Sequence, residues 1–190
     1  MRKMKEICFH GRGGQGAVTA AKVFAEGALA EGKHIQSFPE YGPERMGAPV
    51  RSFTRISDKE ITVHSHVTNP EIVAVLDPTL LDVVNVCEGV PDGGLVVVNT
   101  PEEPAKIKDK IQAENKKVYT VDATKISIDN LGRNIPNTPM LGALVKVAGL
   151  ISLDSLIENF KHEYGAKFSE KVIEGNVAAM KQAFEEVKSE

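Results

Sequence analysis

The chain has 190 residues, of which 42% are hydrophobic and 26% charged, and its formal net charge at pH 7 is −3. This composition is typical of a globular protein, and the length predicts one domain, residues 1–190, with a core that needs no structural metal or disulfide. The weak negative charge argues against nucleic-acid binding, which requires a basic surface.

The first predicted elements are a strand over residues 5–10, a helix over 14–31 and a strand over 34–38. Small and apolar side chains recur at helical spacing in the helix, which should therefore bury one face. The order strand, helix, strand is typical of a βαβ unit and predicts a parallel sheet. A glycine-containing loop separates the first strand from the helix.

The segment 38–49 interrupts this order with three prolines and two glycines, and it is predicted to be a loop. Residues 50–61 then favour a β-hairpin, since β-forming residues flank a turn at Ser57-Asp58-Lys59. We therefore expect antiparallel strands beside the parallel ones.

The alternation of strand and helix returns with predicted strands over 71–77, 94–99 and 116–123. Residues 78–89 favour a helix, and Thr100-Pro101-Glu102-Glu103 is typical of a helix start. The remaining chain is predicted to be helical, with helices over 138–150 and 153–164 and a last one from Ser169. The predicted fold is α/β: a three-layer α/β/α sandwich with a mixed, mainly parallel sheet and an inserted β-hairpin.

The loop after the first strand carries G-x-G-x-x-G at Gly11, Gly13 and Gly16. In this setting it predicts backbone N–H groups exposed at a helix N-terminus, where phosphate or carboxylate binds. Three interpretations stay open: a tight turn for close packing, an anion contact, or NAD binding. The NAD interpretation requires an acid about 20 residues further on, but Gln36 stands there. A P-loop is not indicated, because Ala17 and Val18 replace its lysine and its hydroxyl residue.

Other polar residues leave alternatives open. His64 and His66 lie on one face of an extended segment, but a metal site needs a third ligand. His10 ends the first strand, where it either caps the strand or contacts a ligand. Arg51 and Arg55 share a strand face, which favours a solvated face or a subunit contact.

Two further features concern a helix start and the cysteines. Asn137 and Thr138 favour a helix cap over a ligand contact. Cys8 and Cys87 are the only cysteines and belong to no C-x-x-C unit, so the sequence predicts buried thiols rather than a zinc or iron–sulfur site.

The apolar run after the basic N-terminus is too short for a signal peptide, and no run could span a bilayer, so we expect a cytoplasmic protein without a membrane segment.

Two motifs together are more specific than the glycine pattern. The stretches FHGRGGQGAVTAA and SFPEYGPERMGAPVRSFTRIS closely resemble the gamma subunit of pyruvate:ferredoxin oxidoreductase, in the 2-oxoacid:ferredoxin oxidoreductase family. The resemblance continues through NPEIVAVLD, GLVVVN, VDATKI and NTPMLGALVKVAGLISLDSL, and covers nearly the whole chain. One departure is Met46, where many relatives carry a second arginine.

The resemblance implies a multi-subunit enzyme that converts pyruvate and coenzyme A to acetyl-CoA and CO2 while reducing ferredoxin. Its partners would be the alpha, beta and delta subunits, which would hold thiamine diphosphate, Mg and iron–sulfur clusters. This chain would hold no cofactor and no catalytic residue. The candidate contacts with coenzyme A or another anion are Gly11, Arg12, Gly13, Gly14, Gln15, Gly16 and Arg45, and the candidate interface residues are Tyr41, Glu44, Arg51 and Arg55.

Alternatives remain for the loop and for the function. The segment of Tyr41, Glu44 and Arg45 is expected to be an interface, part of the coenzyme A path, or plain structure. The same subunit could serve a branched-chain 2-oxoacid:ferredoxin oxidoreductase. A stand-alone nucleotide-binding module is the different class of answer, and the missing ribose acid argues against it.

Overall fold

The computed structural model describes residues 4–40 and 47–190. Its sheet has seven strands in the order β2-β3-β1-β4-β5-β6-β7. The strands are β1 (Lys5–Arg12), β2 (His34–Glu40), β3 (Pro49–Ser57), β4 (Ile72–Val75), β5 (Leu95–Asn99), β6 (Lys117–Val121) and β7 (Lys188–Ser189). The helices are α1 (Ala17–Ala30), α2 (Pro104–Lys110), α3 (Ala123–Leu131), α4 (Asn137–Ala148), α5 (Leu153–Tyr164) and α6 (Glu170–Glu186), with a short 3-10 helix at Pro78–Asp82.

The centre of the sheet is parallel and its edges are antiparallel. Strands β1, β4, β5 and β6 are parallel neighbours. Strand β3 runs antiparallel to β1 and β2, and β7 runs antiparallel to β6. The central strands are continuous apolar runs because both of their faces are covered. The predicted α/β fold with a mixed sheet is confirmed, and the parallel strands occupy the middle of the sheet.

Two apolar cores lie on the two faces of the sheet. Helices α1, α3, α4, α5 and α6 cover one face, over residues that include Ile7, Phe9 and Ala74. The 3-10 helix and α2 cover the other face, over Cys8 and Val73. Alternate residues of one strand point to opposite faces, so each central strand supplies both cores. No helix in the described part of the chain is long and apolar enough to cross a membrane.

The predicted hairpin over residues 50–61 is wrong. Residues 49–57 form one strand, β3, which inserts between β1 and β2 and pairs with both. Both edges of β3 are thus hydrogen-bonded to flanking strands, and no return strand follows Ser57 before β4 in the described chain. The sheet does contain the antiparallel pairing that the sequence predicted. However, β3 pairs with β1 and β2 and not with a strand that follows it. As a result, β1 and β2 are parallel to each other without being neighbours.

Two helix predictions also need correction. Residues 78–89 form only the short 3-10 helix followed by turns. The Asn85 side chain accepts a hydrogen bond from the Cys87 N–H, which competes with helix formation. Helix α2 begins at Pro104 rather than at Thr100. The Thr100 hydroxyl instead accepts a hydrogen bond from the Glu102 N–H and closes a turn before the helix.

The Arg55 side chain is 1% exposed and donates hydrogen bonds to four acceptors. It donates to Glu6 Oε1 at 2.8 Å and to Gln36 Oε1 at 3.1 Å. It also donates to the backbone oxygens of Val63 at 3.3 Å and Ser65 at 2.7 Å. The interpretation of Arg55 as part of a solvated face is therefore wrong: its guanidinium fastens the irregular segment before β4 to the sheet.

We predict that Arg55→Met lowers the free energy of unfolding by about 3 kcal/mol or more, because Glu6 and two backbone oxygens lose a buried charged partner. The matched control is Arg51→Met on the same strand. Its side chain is 40% exposed in its ion pair with Glu40, so its loss should cost about 1 kcal/mol or less. Urea denaturation followed by circular dichroism measures both, and equal losses would contradict the structural role of Arg55.

Candidate functional site

The glycine loop lies between the carboxyl end of β1 and the first turn of α1. Gly14 and Gly16 have left-handed backbones, with φ of 94° and 80°. A Cβ at Gly16 would lie 2.6 Å from Asn137 Nδ2, and a Cβ at Gly11 would lie 3.0 Å from the Cβ of Ala17. These glycines therefore permit the turn and bring α1 close to α4 and β1. The close-packing interpretation of the loop is confirmed, and an anion contact stays a prediction.

Arg12 ends β1 and ties the glycine loop to β4. Its Nε lies 3.3 Å from Asp77 Oδ2, just beyond the end of β4. Nε and one terminal nitrogen donate to Thr79 Oγ1 at 3.1 and 2.8 Å, and the other terminal nitrogen donates to the Gly47 oxygen at 3.0 Å. The guanidinium is thus held mainly by this chain's own groups.

Gln15 reinforces the same connection. Its Oε1 accepts from the Arg12 N–H at 2.8 Å, and its Nε2 donates to Asp77 Oδ2 at 2.5 Å. Partial burial by itself would raise the pKa of Asp77, but hydrogen bonds from Thr79 and Gln15 and the charge of Arg12 outweigh burial and lower the pKa. Asp77 is therefore an ionised anchor. The sequence placed an aspartate at the end of this strand but gave no sign that it would meet Arg12.

Gly47 and Ala48, which belong to the second sequence motif and directly precede β3, contact the glycine loop through backbone hydrogen bonds. The Gly13 N–H donates to the Ala48 oxygen at 2.9 Å, and the Gly47 N–H donates to the Gly13 oxygen at 3.2 Å. The two sequence motifs thus meet at the carboxyl end of β1. Tyr41, Glu44 and Arg45 lie outside the described residues.

Several N–H groups at the start of α1 have no acceptor in the part of the chain that the structure describes. Within residues 4–40 and 47–190, no acceptor meets the N–H groups of Gly14 or of residues 16–19. Gly14, Val18 and Thr19 are also exposed. A helix N-terminus with free donors favours an anion through the N–H groups and the helix dipole. The arrangement can hold phosphate or carboxylate, with the glycine loop shaped by Arg12 and Gln15.

The sheet order does not suit NAD. In the dinucleotide fold the acid that binds the ribose ends the strand next to the glycine-loop strand. Here β3 separates β1 from β2, which carries Gln36. The Gln36 side chain is held by Arg55 and by the backbone oxygen of Ile61. Neither the position nor the chemistry of Gln36 fits a ribose contact.

His10 and Arg51 lie on the face of the sheet opposite α1, around a second cavity. Arg51 binds Glu40 at 2.5 and 3.0 Å, and one of its nitrogens lies 3.7 Å from Glu88. Cys8 Sγ lies 3.3 Å from His10 Nε2. Burial raises the pKa of the Cys8 thiol to about 12 and lowers the pKa of His10 to about 4. Both side chains are therefore neutral near pH 7 and turned away from the α1 donors.

The remaining candidate residues have simple surroundings. His64 and His66 are exposed. No group of three or more His, Cys, Asp or Glu side chains that could hold a metal ion occurs in the described part of the chain. Pro136 is the cap residue of α4, and Asn137 Oδ1 accepts from the Thr138 N–H at 2.9 Å. Asn137 thus combines a local role at the start of α4 with its contact at Gly16.

The chain matches one protein family and is similar to curated proteins over nearly its whole length. Residues 6–186 match the model of a family described as pyruvate ferredoxin/flavodoxin oxidoreductase. The chain is 46% identical, over 96% of each chain, to the pyruvate/ketoisovalerate oxidoreductases common subunit gamma of Pyrococcus furiosus. It is 48% identical to the pyruvate synthase subunit PorC of Methanothermobacter marburgensis, over 97% of this chain and 98% of that one.

Solved structures share the fold. The crystal structure of pyruvate oxidoreductase subunit PORC from Thermotoga maritima superposes with a TM-score of 0.87 and 41% identity, over 99% of both chains. The 2-oxoglutarate:ferredoxin oxidoreductase from Magnetococcus marinus, 19% identical, gives a TM-score of 0.79 over 96% of this chain and 31% of that one. The latter likeness shows the fold alone.

We predict that the stability of this chain falls as the pH drops from about 6.5 to about 4, by about 3 kcal/mol from His10 alone. In this range the unfolded state takes up a proton on His10 that the folded state, with its pKa of about 4, does not accept. His10→Gln should remove that part of the pH dependence, and the control His64→Gln, at an exposed position, should keep it. Urea denaturation at several pH values tests this, and identical profiles for wild type and His10→Gln would contradict it.

Proposed function

This chain belongs to the pyruvate ferredoxin/flavodoxin oxidoreductase family, and we propose that it is the gamma subunit of a multi-subunit pyruvate:ferredoxin oxidoreductase. The reaction is the coenzyme A-dependent oxidative decarboxylation of pyruvate to acetyl-CoA and CO2, with transfer of electrons to ferredoxin. The observation that carries this proposal is the similarity to gamma and PorC subunits over more than 95% of both chains. The partners are the alpha, beta and delta subunits of the same enzyme.

The role that we propose for this subunit is assembly and access for coenzyme A. Coenzyme A carries several phosphate charges, and the open N–H groups at the start of α1 suit a phosphate. Charge-assisted hydrogen bonds of this kind are worth about 1.5–3 kcal/mol each. Arg12 holds the glycine loop in place and adds positive charge nearby. Arg45, outside the described residues, is a second candidate cation.

The redox and thiamine chemistry is assigned to the partner subunits. An iron–sulfur cluster needs four ligands, usually cysteine thiolates, whereas this chain has two cysteines in all. Cys8 is buried with a raised pKa, so it is a poor source of thiolate. Thiamine diphosphate binds through a magnesium ion, and the described residues offer no group of metal ligands. In this proposal, electron transfer and decarboxylation take place in the partner subunits.

A second substrate is favoured by one specific observation. The relative from Pyrococcus furiosus is described as a common subunit of pyruvate and ketoisovalerate oxidoreductases. A subunit that does not build the pocket for the 2-oxoacid can serve two enzymes whose other subunits differ. We propose a branched-chain 2-oxoacid:ferredoxin oxidoreductase as the alternative assembly for this chain.

We predict that Arg12→Ala, in the enzyme reconstituted with its partner subunits, raises the KM for coenzyme A by about 10-fold or more and leaves kcat and the KM for pyruvate nearly unchanged. The reason is that the glycine loop loses its tie to Asp77 and the positive charge beside the phosphate. Arg45→Ala should act in the same direction. The control is Lys59→Ala, at an exposed position away from the glycine loop. Steady-state kinetics with each substrate varied in turn measures the effects.

The variant Asp77→Asn distinguishes two possible roles of Arg12: holding the glycine loop in place and supplying positive charge to the phosphate. If Arg12 acts by holding the glycine loop, Asp77→Asn should raise the KM for coenzyme A as Arg12→Ala does. If only the positive charge matters, Asp77→Asn should leave that KM unchanged or lower it, because the variant removes a carboxylate that partly neutralises Arg12. An unaltered KM for coenzyme A in the Arg12 and Arg45 variants, with assembly intact by gel filtration, would leave the loop as a packing turn.

We predict that the chain binds neither NAD nor NADP at micromolar concentrations, because no acid is placed to bind the ribose hydroxyls. Calorimetric titration of the purified chain tests this. A micromolar dissociation constant for either nucleotide would favour the stand-alone nucleotide-binding module over the oxidoreductase subunit.

A further inference from the structure

An apolar cavity of about 310 Å³ opens in the helical layer, between α1, α4, α5 and α6. Three aromatic rings form one wall: Phe160 stacks on Tyr164 at 4.9 Å between centroids, and Tyr164 stacks on Phe168 at 6.0 Å. Buried Ala20 and Leu141 contribute to its lining. We call this feature the aromatic cavity. Its volume is at the lower end of the range typical of ligand pockets.

The rim of the aromatic cavity exposes large apolar side chains. Ile135 is 36% exposed, Phe168 49% and Val172 39%, and all three line the opening. They are three of the eight large apolar side chains that the described residues expose. Apolar groups gathered around an opening in this way mark an interaction surface, whereas scattered ones need no explanation. A small molecule filling the cavity would leave these rim side chains in water, so a protein surface fits better.

The charge at the rim indicates the chemistry of the partner. Arg133 lines the aromatic cavity and is exposed, and Lys167 places its ammonium group 5.1 Å from the centre of the Tyr164 ring. Within residues 4–40 and 47–190, neither side chain has an acidic partner. A second copy of this chain meeting the cavity symmetrically would bring two cationic rims together, which is unfavourable.

We propose that the aromatic cavity is a docking site for another subunit of the oxidoreductase, which inserts an apolar side chain and places carboxylates beside Arg133 and Lys167. This inference rests on the proposed function, since it requires that the chain works in a complex. It assigns to the helical layer a role in assembly, beside the start of α1, since Thr19 and Asn137 also line the cavity. Buried apolar anchors inside a charged rim are the usual source of binding energy in such interfaces.

The experiment measures the affinity of this chain for the enzyme assembled without it, by biolayer interferometry. Phe168→Asp should weaken binding by about 10-fold or more, because a charge replaces an apolar anchor. Arg133→Glu should also weaken binding, because it places a negative charge opposite the partner's carboxylates. The matched controls are Val83→Asp, at a 61% exposed valine on the opposite layer, and Lys59→Glu, at an exposed lysine. Both controls should bind as wild type does.

The outcomes separate the two proposals. If the wild-type chain fails to bind the partner assembly, the proposed function is overturned. If wild type binds and both cavity variants bind as tightly as the controls, the docking site is overturned and the proposed function stands. Equal losses in cavity and control variants, or a change only in self-association of the isolated chain, also overturn the docking site. Thermal melting checks that each variant is folded, and the milder Phe168→Ser replaces Phe168→Asp if that variant does not fold.

Discussion

Strand β3 pairs along its length with β1 on one side and β2 on the other, and the rest of the architecture depends on this double pairing. It separates two strands that a simple βαβ unit would place side by side. It also carries Arg51 and Arg55 on one face, where each meets an acid from a neighbouring strand. Gly47 and Ala48 directly precede β3, so the position of β3 brings their backbone groups into contact with the glycine loop.

Side-chain hydrogen bonds hold the glycine loop, in addition to the turn that its glycines permit. Arg12, Gln15, Asp77 and Thr79 form one hydrogen-bonded group across the ends of β1 and β4. Such a group restricts the loop and with it the direction of the N–H groups at the start of α1, which meet no acceptor among the described residues. A preorganised set of donors binds an anion with less loss of conformational freedom. In the proposed anion site, these side chains would shape the loop and the backbone would supply the contacts.

The sequence predicted the parallel strands well, because continuous apolar runs between turns have few alternatives. It also predicted α5 with its bounds and the start of α6, where Ser169 precedes a helical pattern. The errors fell on segments with weaker patterns. The predicted hairpin over 50–61 was wrong because the turn at Ser57-Asp58-Lys59 leads to no return strand. Both edges of β3 already pair with β1 and β2. The helix over 78–89 was wrong because local hydrogen bonds competed with the helix.

The amino-acid sequence by itself determined the family, the fold class and the location of the glycine loop, because these depend on local patterns and on the order of motifs along the chain. Tertiary structure decided which side chains meet. Arg12 and Asp77 are 65 positions apart in the numbering, and only the neighbouring positions of β1 and β4 bring them together. The aromatic cavity likewise depends on how α1, α4, α5 and α6 pack. Spacing along the chain specifies periodic elements, but contacts between distant segments depend on the order of strands in the sheet.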